Sequence, residues 1–125
     1  MIRHVRTDDA PPPAGHYSQA TVHGGVVYVA AQLPLDPKTR EIVSQDAKEQ
    51  TLQVLDNIEA ILDSAGSSLG NLLKVTIYVS DITLWATVNE AYAERLGPHQ
   101  PARSVVAAKE LKAGAHVIMD AIAAC

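Results

Sequence analysis

Between Asp46 and Gly66, Ala47, Thr51, Val54, Leu55, Ile58, Ile61, Leu62 and Ala65 recur three and four residues apart, the spacing that lines one stripe of an α-helix. Asp46 with Glu49 three residues on has the form of a capping box, and Gly66 is placed to close the far end in the left-handed conformation. Elsewhere the period shortens. Ser18–Val22 and Val26–Ala31 are β-prone runs around His23-Gly24-Gly25, where glycines supply the positive φ of a tight hairpin. Leu72–Val79 reads as a strand from its β-branched content. Asp81 or Thr83 can then cap a second helix carrying Leu84, Val88, Ala91, Tyr92 and Leu96, which Gly97-Pro98 stops. Two further strands are predicted at Ala102–Ala108 and His116–Ala124, after a turn at Lys112-Ala113-Gly114. Residues 33–40, with two prolines, read as a loop. Residues 8–15, with three prolines, read as a stiff lead-in over the surface that joins no sheet.

The resulting order, ββ-α-β-α-ββ, predicts an α+β fold: one mixed β-sheet with two helices on one face, each helix connecting neighbouring strands. Two helices cover only one face of such a sheet. In the last strand Val117, Met119, Ala121 and Ala123 alternate with Ile118, Asp120 and Ile122, so both faces are largely apolar. A sheet of that kind in a small chain predicts self-association.

Composition narrows the function classes. A length of 125 residues with 47% apolar content fits a single domain spanning 1–125. The net charge is −4, and the ten Lys and Arg residues form no run or stripe, which speaks against a nucleic-acid partner. No apolar stretch approaches a bilayer span, and the N-terminal Arg3, His4 and Arg6 lead into no apolar leader core, so the expected location is cytoplasmic, with no membrane partner. The lone Cys125 permits no intrachain disulfide. The five histidines lack metal-ligand spacing, and no serine sits in a nucleophile motif.

Five segments carry a more specific signal: Gly15-His16-Tyr17-Ser18-Gln19-Ala20, Gln32-Leu33-Pro34-Leu35-Asp36-Pro37-Lys38-Thr39, Val88-Asn89-Glu90-Ala91-Tyr92, Pro101-Ala102-Arg103-Ser104 and Ala121-Ile122-Ala123. In this order and spacing they resemble the reactive intermediate deaminase family over nearly the whole chain. The resemblance implies a homotrimer of subunits with the Bacillus-type chorismate-mutase-like fold, sheets packed inward, and ligand sites in the inter-subunit clefts. It further implies hydrolysis of 2-imino acids, or their enamine tautomers, to 2-keto acids and ammonia, without metal or cofactor.

By the same resemblance Arg103 and Tyr17 are the catalytic candidates, and Arg103, Tyr17, Ala31, Asn89, Val105 and Ile118 line the ligand. An arginine opening a strand is most often a surface ion-pair partner. The Pro-Ala-Arg-Ser match instead points to carboxylate binding, which suits a planar guanidinium able to give two parallel hydrogen bonds. Tyr17 would flank the ligand or simply pack, and Asn89 would lie near it on the second helix.

Several positions depart from the family pattern. Ala30-Ala31 stand where imine-hydrolysing members have Ser-Gly, although a backbone N–H at Ala31 could still serve; Val105 replaces a frequent cysteine and His16 a usual proline. Most consequential, Ile118 occupies the place of the glutamate credited with holding the attacking water. Asp120 matches a second glutamate, two residues or roughly 7 Å along the same strand face. It is a candidate acid–base group together with His16, or else a structural carboxylate that sits near the sheet margin or pairs with a base to stabilise the trimer. Two functions follow as expectations: a deaminase-like hydrolase, or a non-catalytic trimeric protein that binds or senses small carboxylates. A ribonuclease role, attached to some relatives, fits the acidic balance poorly. The apolar swaps at Ala30, Val105 and Ile118 point to a bulkier or greasier acid.

Overall fold

The computed structural model describes all residues, Met1–Cys125. The first helix, α1 (Ala47–Ser64), begins as its sequence predicts, with the Asp46 carboxylate accepting the Glu49 N–H at 2.9 Å. The box is only half made, because the Asp46 N–H goes to Ser44 Oγ instead of back to Glu49. At the other end Gly66 takes φ 82°, and the Ser67 N–H closes onto the Leu62 carbonyl, the left-handed stop that glycine favours. The second helix, α2 (Trp85–Leu96), follows a 3-10 turn at Ile82–Leu84. Asp81 caps that turn, its carboxylate accepting both the N–H and the hydroxyl of Thr83, which hold it below the ordinary carboxyl pKa. The helix α2 itself starts from Leu84 with no side-chain cap, so neither Asp81 nor Thr83 caps it directly.

Six strands form one sheet, β1 (Arg3–Val5), β2 (Ala20–His23), β3 (Val26–Gln32), β4 (Leu72–Val79), β5 (Ala102–Ala107) and β6 (Val117–Ala124), in the spatial order β1-β2-β3-β6-β4-β5. Only β4 and β5 run parallel. Two expectations need correction. The helices do not both join neighbours: α2 links the adjacent β4 and β5, but β6 lies between β3 and β4 and pairs antiparallel with each, so α1 spans a gap of one strand. The N-terminus also contributes a strand, β1, which pairs with β2 and buries Val5. Three residues were too few to show an alternating pattern.

The core lies between the helices and one sheet face. Val54, Leu55, Ile58, Ile61 and Leu62 of α1 are fully buried in one cluster with Val27, Val75, Ile77, Val79, Val117, Met119 and Ala123 of the sheet. Both helices therefore lie on the same side, where Arg95 of α2 pairs with Asp56 and Glu59 of α1. The opposite face has no covering layer within the chain, and Tyr28 and Val106 on it are 48% and 44% exposed. No helix is long and apolar enough to cross a membrane.

Buried amides tie the loops to this frame. Gln19, 1% exposed, donates through Nε2 to the carbonyls of Thr7 and Pro11, each at 3.0 Å, while its Oε1 accepts the Thr7 N–H at 2.7 Å. Three prolines leave this segment without the N–H donors of a strand ladder, and the Gln19 side chain ties its carbonyls down instead. Gln19→Ala is expected to lower stability by about 2 kcal/mol, the usual cost of stranding such groups. Urea unfolding at fixed chain concentration checks this, and a loss under about 0.5 kcal/mol, within surface-mutation scatter, would show that the segment holds itself in place.

Candidate functional site

Arg103 stands on β5, an outer strand of the sheet, in register with Val75 of β4, so its side chain projects on the helix side. There it meets α2. Nη1 donates to Asn89 Oδ1 at 2.7 Å, and the guanidinium carbon lies 4.9 Å from the Tyr92 ring centroid and 6.0 Å from that of Trp85. No carboxylate pairs with it, in contrast to Arg6 and Arg95. A guanidinium has five N–H donors, and the bond to Asn89 is the only one Arg103 makes within the chain. The Tyr92 hydroxyl is buried without a partner, and burial pushes its pKa up, the nearby guanidinium opposing in part.

A depression of about 410 Å³ opens beside these groups, lined by Asn89, Tyr92, Leu96, His99, Pro101 and Arg103 among others. His99 Nε2 lies 2.8 Å from the Leu72 carbonyl, which can only accept, so that nitrogen carries a proton. Val105, two residues along β5 from Arg103, shares its face and packs partly buried against the core.

Tyr17 and Ala31 lie elsewhere, together, in a second depression of about 160 Å³ that also has Leu33, Leu35 and Arg40 in its wall. The β3–β6 register slips by one residue between Val29 and Gln32. This bulge at Ala30-Ala31 bends the strand and re-aims its backbone, and Ala31 is exposed as a result. The Tyr17 hydroxyl accepts the Ala14 N–H at 3.2 Å, and its ring is 49% exposed. Asn57 of α1 fixes the far wall by donating to the carbonyls of Leu33 and Leu35. His16 is exposed and lines neither depression.

Ile118 and Asp120 occupy a third place, the uncovered sheet face, opposite Tyr78 and Thr76 of β4. Ile118 is 7% exposed. Tyr78 Oη donates to Asp120 Oδ2 at 3.0 Å, a bond that raises the phenol pKa, so Tyr78 remains a donor at neutral pH. β6 is interior to the sheet, so Asp120 does not lie at its margin, and within the chain the carboxylate's partner is the Tyr78 phenol.

Within one chain, then, Arg103, Asn89 and Val105 are gathered on the helix side, Tyr17 with Ala31 at the β3 bulge, and Ile118 with Asp120 on the opposite face. Trp85 and Tyr92 were not predicted as site residues, although their spacing from Asn89 places all three on one stripe of α2.

The family model described as Endoribonuclease L-PSP matches residues 7–125. The chain belongs to the reactive intermediate deaminase family. Similarity to individual members of this family is high along the whole chain. A RutC family protein of Pyrococcus horikoshii is 48% identical over 119 residues, covering 95% of this chain and 94% of that one. The 2-iminobutanoate/2-iminopropanoate deaminase of Escherichia coli is 35% identical over 126 residues, covering 98% of each. Among solved structures, a Thermotoga maritima protein superimposes with a TM-score of 0.96 at 42% identity, covering 100% of this chain and 98% of that one. The reactive intermediate deaminase fold accounts for the two helices packed on a mixed sheet, and deaminases of imines and enamines are among the family's members.

Proposed function

We propose that the protein hydrolyses small 2-imino acids or their enamine tautomers, with Arg103 binding the substrate carboxylate, in a homotrimer whose clefts join two subunits. One observation carries the reading: Arg103 is a partly buried cation with no acidic partner, and it borders a depression large enough for a small acid. Desolvating a charge without a partner is unfavourable, so a ligand carboxylate is the natural complement. Two parallel N–H···O bonds would then fix the plane of the substrate.

In this scheme backbone N–H groups near Ala31 and Val105 orient the imine nitrogen, and water adds to C2. Collapse of the resulting carbinolamine breaks the C–N bond, releasing ammonia and leaving a 2-oxo acid. The carboxylate clamp and the Tyr17–Ala31 wall lie apart in one protomer, so a shared ligand requires a neighbouring copy to bring them together. The uncovered sheet face, with Tyr28, Val106 and Ile122, is the surface that such copies would bury. Light scattering should give about three times the 13.3 kDa chain mass; a monomer at micromolar concentration would remove the inter-subunit cleft.

The decisive assay follows ammonia or 2-oxobutanoate release from freshly generated 2-iminobutanoate. Acceleration by the protein that disappears in Arg103→Ala supports the reading, and equal rates with and without protein refute it. A second reading is favoured by one residue. Ile118 cannot orient or deprotonate water, so the fold could retain the carboxylate grip as a binding or sensing protein that does not turn over. The net charge of −4 offers little to an RNA backbone.

A further inference from the structure

Trp85, Asn89 and Tyr92 stand at i, i+4 and i+7 along α2 and so share one stripe of the helix. All three meet the same guanidinium: Asn89 through a 2.7 Å hydrogen bond, Tyr92 and Trp85 through their rings. We propose that Tyr92 is a positioning residue for Arg103, its ring face setting the plane of the cation while Asn89 sets its rotation and Trp85 borders it. The proposal rests on the carboxylate-binding reading of Arg103.

The chemistry of the stripe matches that task. An arginine reaching out from an edge strand has several rotatable bonds, and the usual way to hold it is a carboxylate. Arg95, one turn beyond Tyr92 on the same helix, is held in this way by Asp56 and Glu59. A carboxylate beside Arg103 would neutralise the charge and use the donors that a ligand needs. Aromatic faces attract the cation through their quadrupole without occupying any N–H, and a single amide oxygen takes one donor of five. The cation is thus oriented while its charge and most of its donors remain available.

Tyr92 contributes its ring alone. Its hydroxyl is buried and makes no hydrogen bond, so a phenylalanine should serve as well, whereas a leucine of similar apolar character removes the π face. The prediction separates positioning from packing by two measurements. In ¹⁵N-labelled protein without ligand, the Arg103 side-chain N–H signals, assigned with Arg103→Lys, should be displaced by the ring current in wild type and in Tyr92→Phe. In Tyr92→Leu they should move toward the positions of an unstacked arginine.

The dissociation constant for 2-oxobutanoate should be unchanged in Tyr92→Phe and about tenfold weaker in Tyr92→Leu, in keeping with a desolvated cation–π contact. Binding of 2-oxobutanamide, which lacks the carboxylate, should not distinguish the variants. In an Arg103→Ala background, Tyr92→Leu should add nothing further. Equal 2-oxobutanoate affinity in Tyr92→Leu, alongside binding that depends on Arg103, overturns the positioning role alone. Failure of the wild type to bind 2-oxobutanoate through Arg103, with the ring-current shift present, overturns the carboxylate reading and with it this proposal. If Tyr92→Leu does not fold, Tyr92→Phe with Asn89→Ala and Trp85→Leu carries the same comparison along the stripe.

Discussion

Arg103→Ala is expected to lower affinity for 2-oxobutanoate by about 10²- to 10⁴-fold and to bring imine hydrolysis down to the uncatalysed rate. The magnitude follows from two charge-assisted hydrogen bonds, each worth about 1.5–3 kcal/mol, with about 1.4 kcal/mol for every tenfold change. Stability should fall only modestly, by about 1–2 kcal/mol. Arg103 joins no ion pair, and its removal frees the Asn89 carbonyl oxygen beside the open depression and uncovers the ring faces of Tyr92 and Trp85. Arg103→Lys should recover less than a tenth of the lost affinity, because an ammonium cannot give two coplanar bonds. Titration calorimetry with 2-oxobutanoate, paired with a urea melt, separates these effects. Retention of affinity in Arg103→Ala would place the carboxylate site elsewhere.

Ile118→Glu is the second large effect. If the position lacks only a carboxylate to hold and deprotonate water, the substitution raises turnover of 2-iminobutanoate by about 10²- to 10⁴-fold, the range typical of a positioned general base. It carries a folding cost. Ile118 is 7% exposed and lies across from Tyr78, whose hydroxyl is already given to Asp120. A new carboxylate there is desolvated and near a second acid, so a loss of about 1–3 kcal/mol is expected, as for other buried polar groups without full compensation. Burial and the neighbouring acid both raise its pKa. Since only the ionised form accepts a proton, the gain in rate should grow as pH rises through that value. A folded Ile118→Glu protein with unchanged turnover would show that the water is activated elsewhere if the wild type turns over, and would favour the binding-protein reading if it does not.

Asp120 and His16 stand apart from the groups around Arg103 within one chain. As residues of the right type near the right motif, both qualified as acid–base candidates. The structure gives the Asp120 carboxylate a phenol donor from the neighbouring strand and leaves His16 on the surface, lining neither depression. A hydrogen bond between β6 and β4 depends on strand order, and no local pattern encodes that order. The same reason hid the interposition of β6 between β3 and β4, since hydrophobic alternation marks a strand without saying which strand it will pair with.

Tyr92 and Gln19 were visible in different ways. Tyr92 is one apolar position in the pattern of α2 and is buried, but its stacking on Arg103 needs β5 to lie beside that helix. Gln19 belongs to a recognisable motif, while its function as the anchor of the N-terminal segment, through Thr7 and Pro11, depends on burial of an amide that composition would leave at the surface. β1, at three residues, is too short to show a period.

By itself the sequence determined the two helices, both ends of the first and the stop of the second, the five longer strands, and the family through five segments in register. Those features are local or repeat at short range, so spacing and capping chemistry express them directly. Only the tertiary structure decided that Arg103 is held by an aromatic and amide stripe without an acid, that Tyr17 and Ala31 form a separate wall at a bulge, and that Ile118 and Asp120 lie across the sheet from the guanidinium. The physical reason is that each of these depends on contacts between residues far apart in the chain, set by the packing of α2 against β5 and by the pairing of β6 with both β3 and β4.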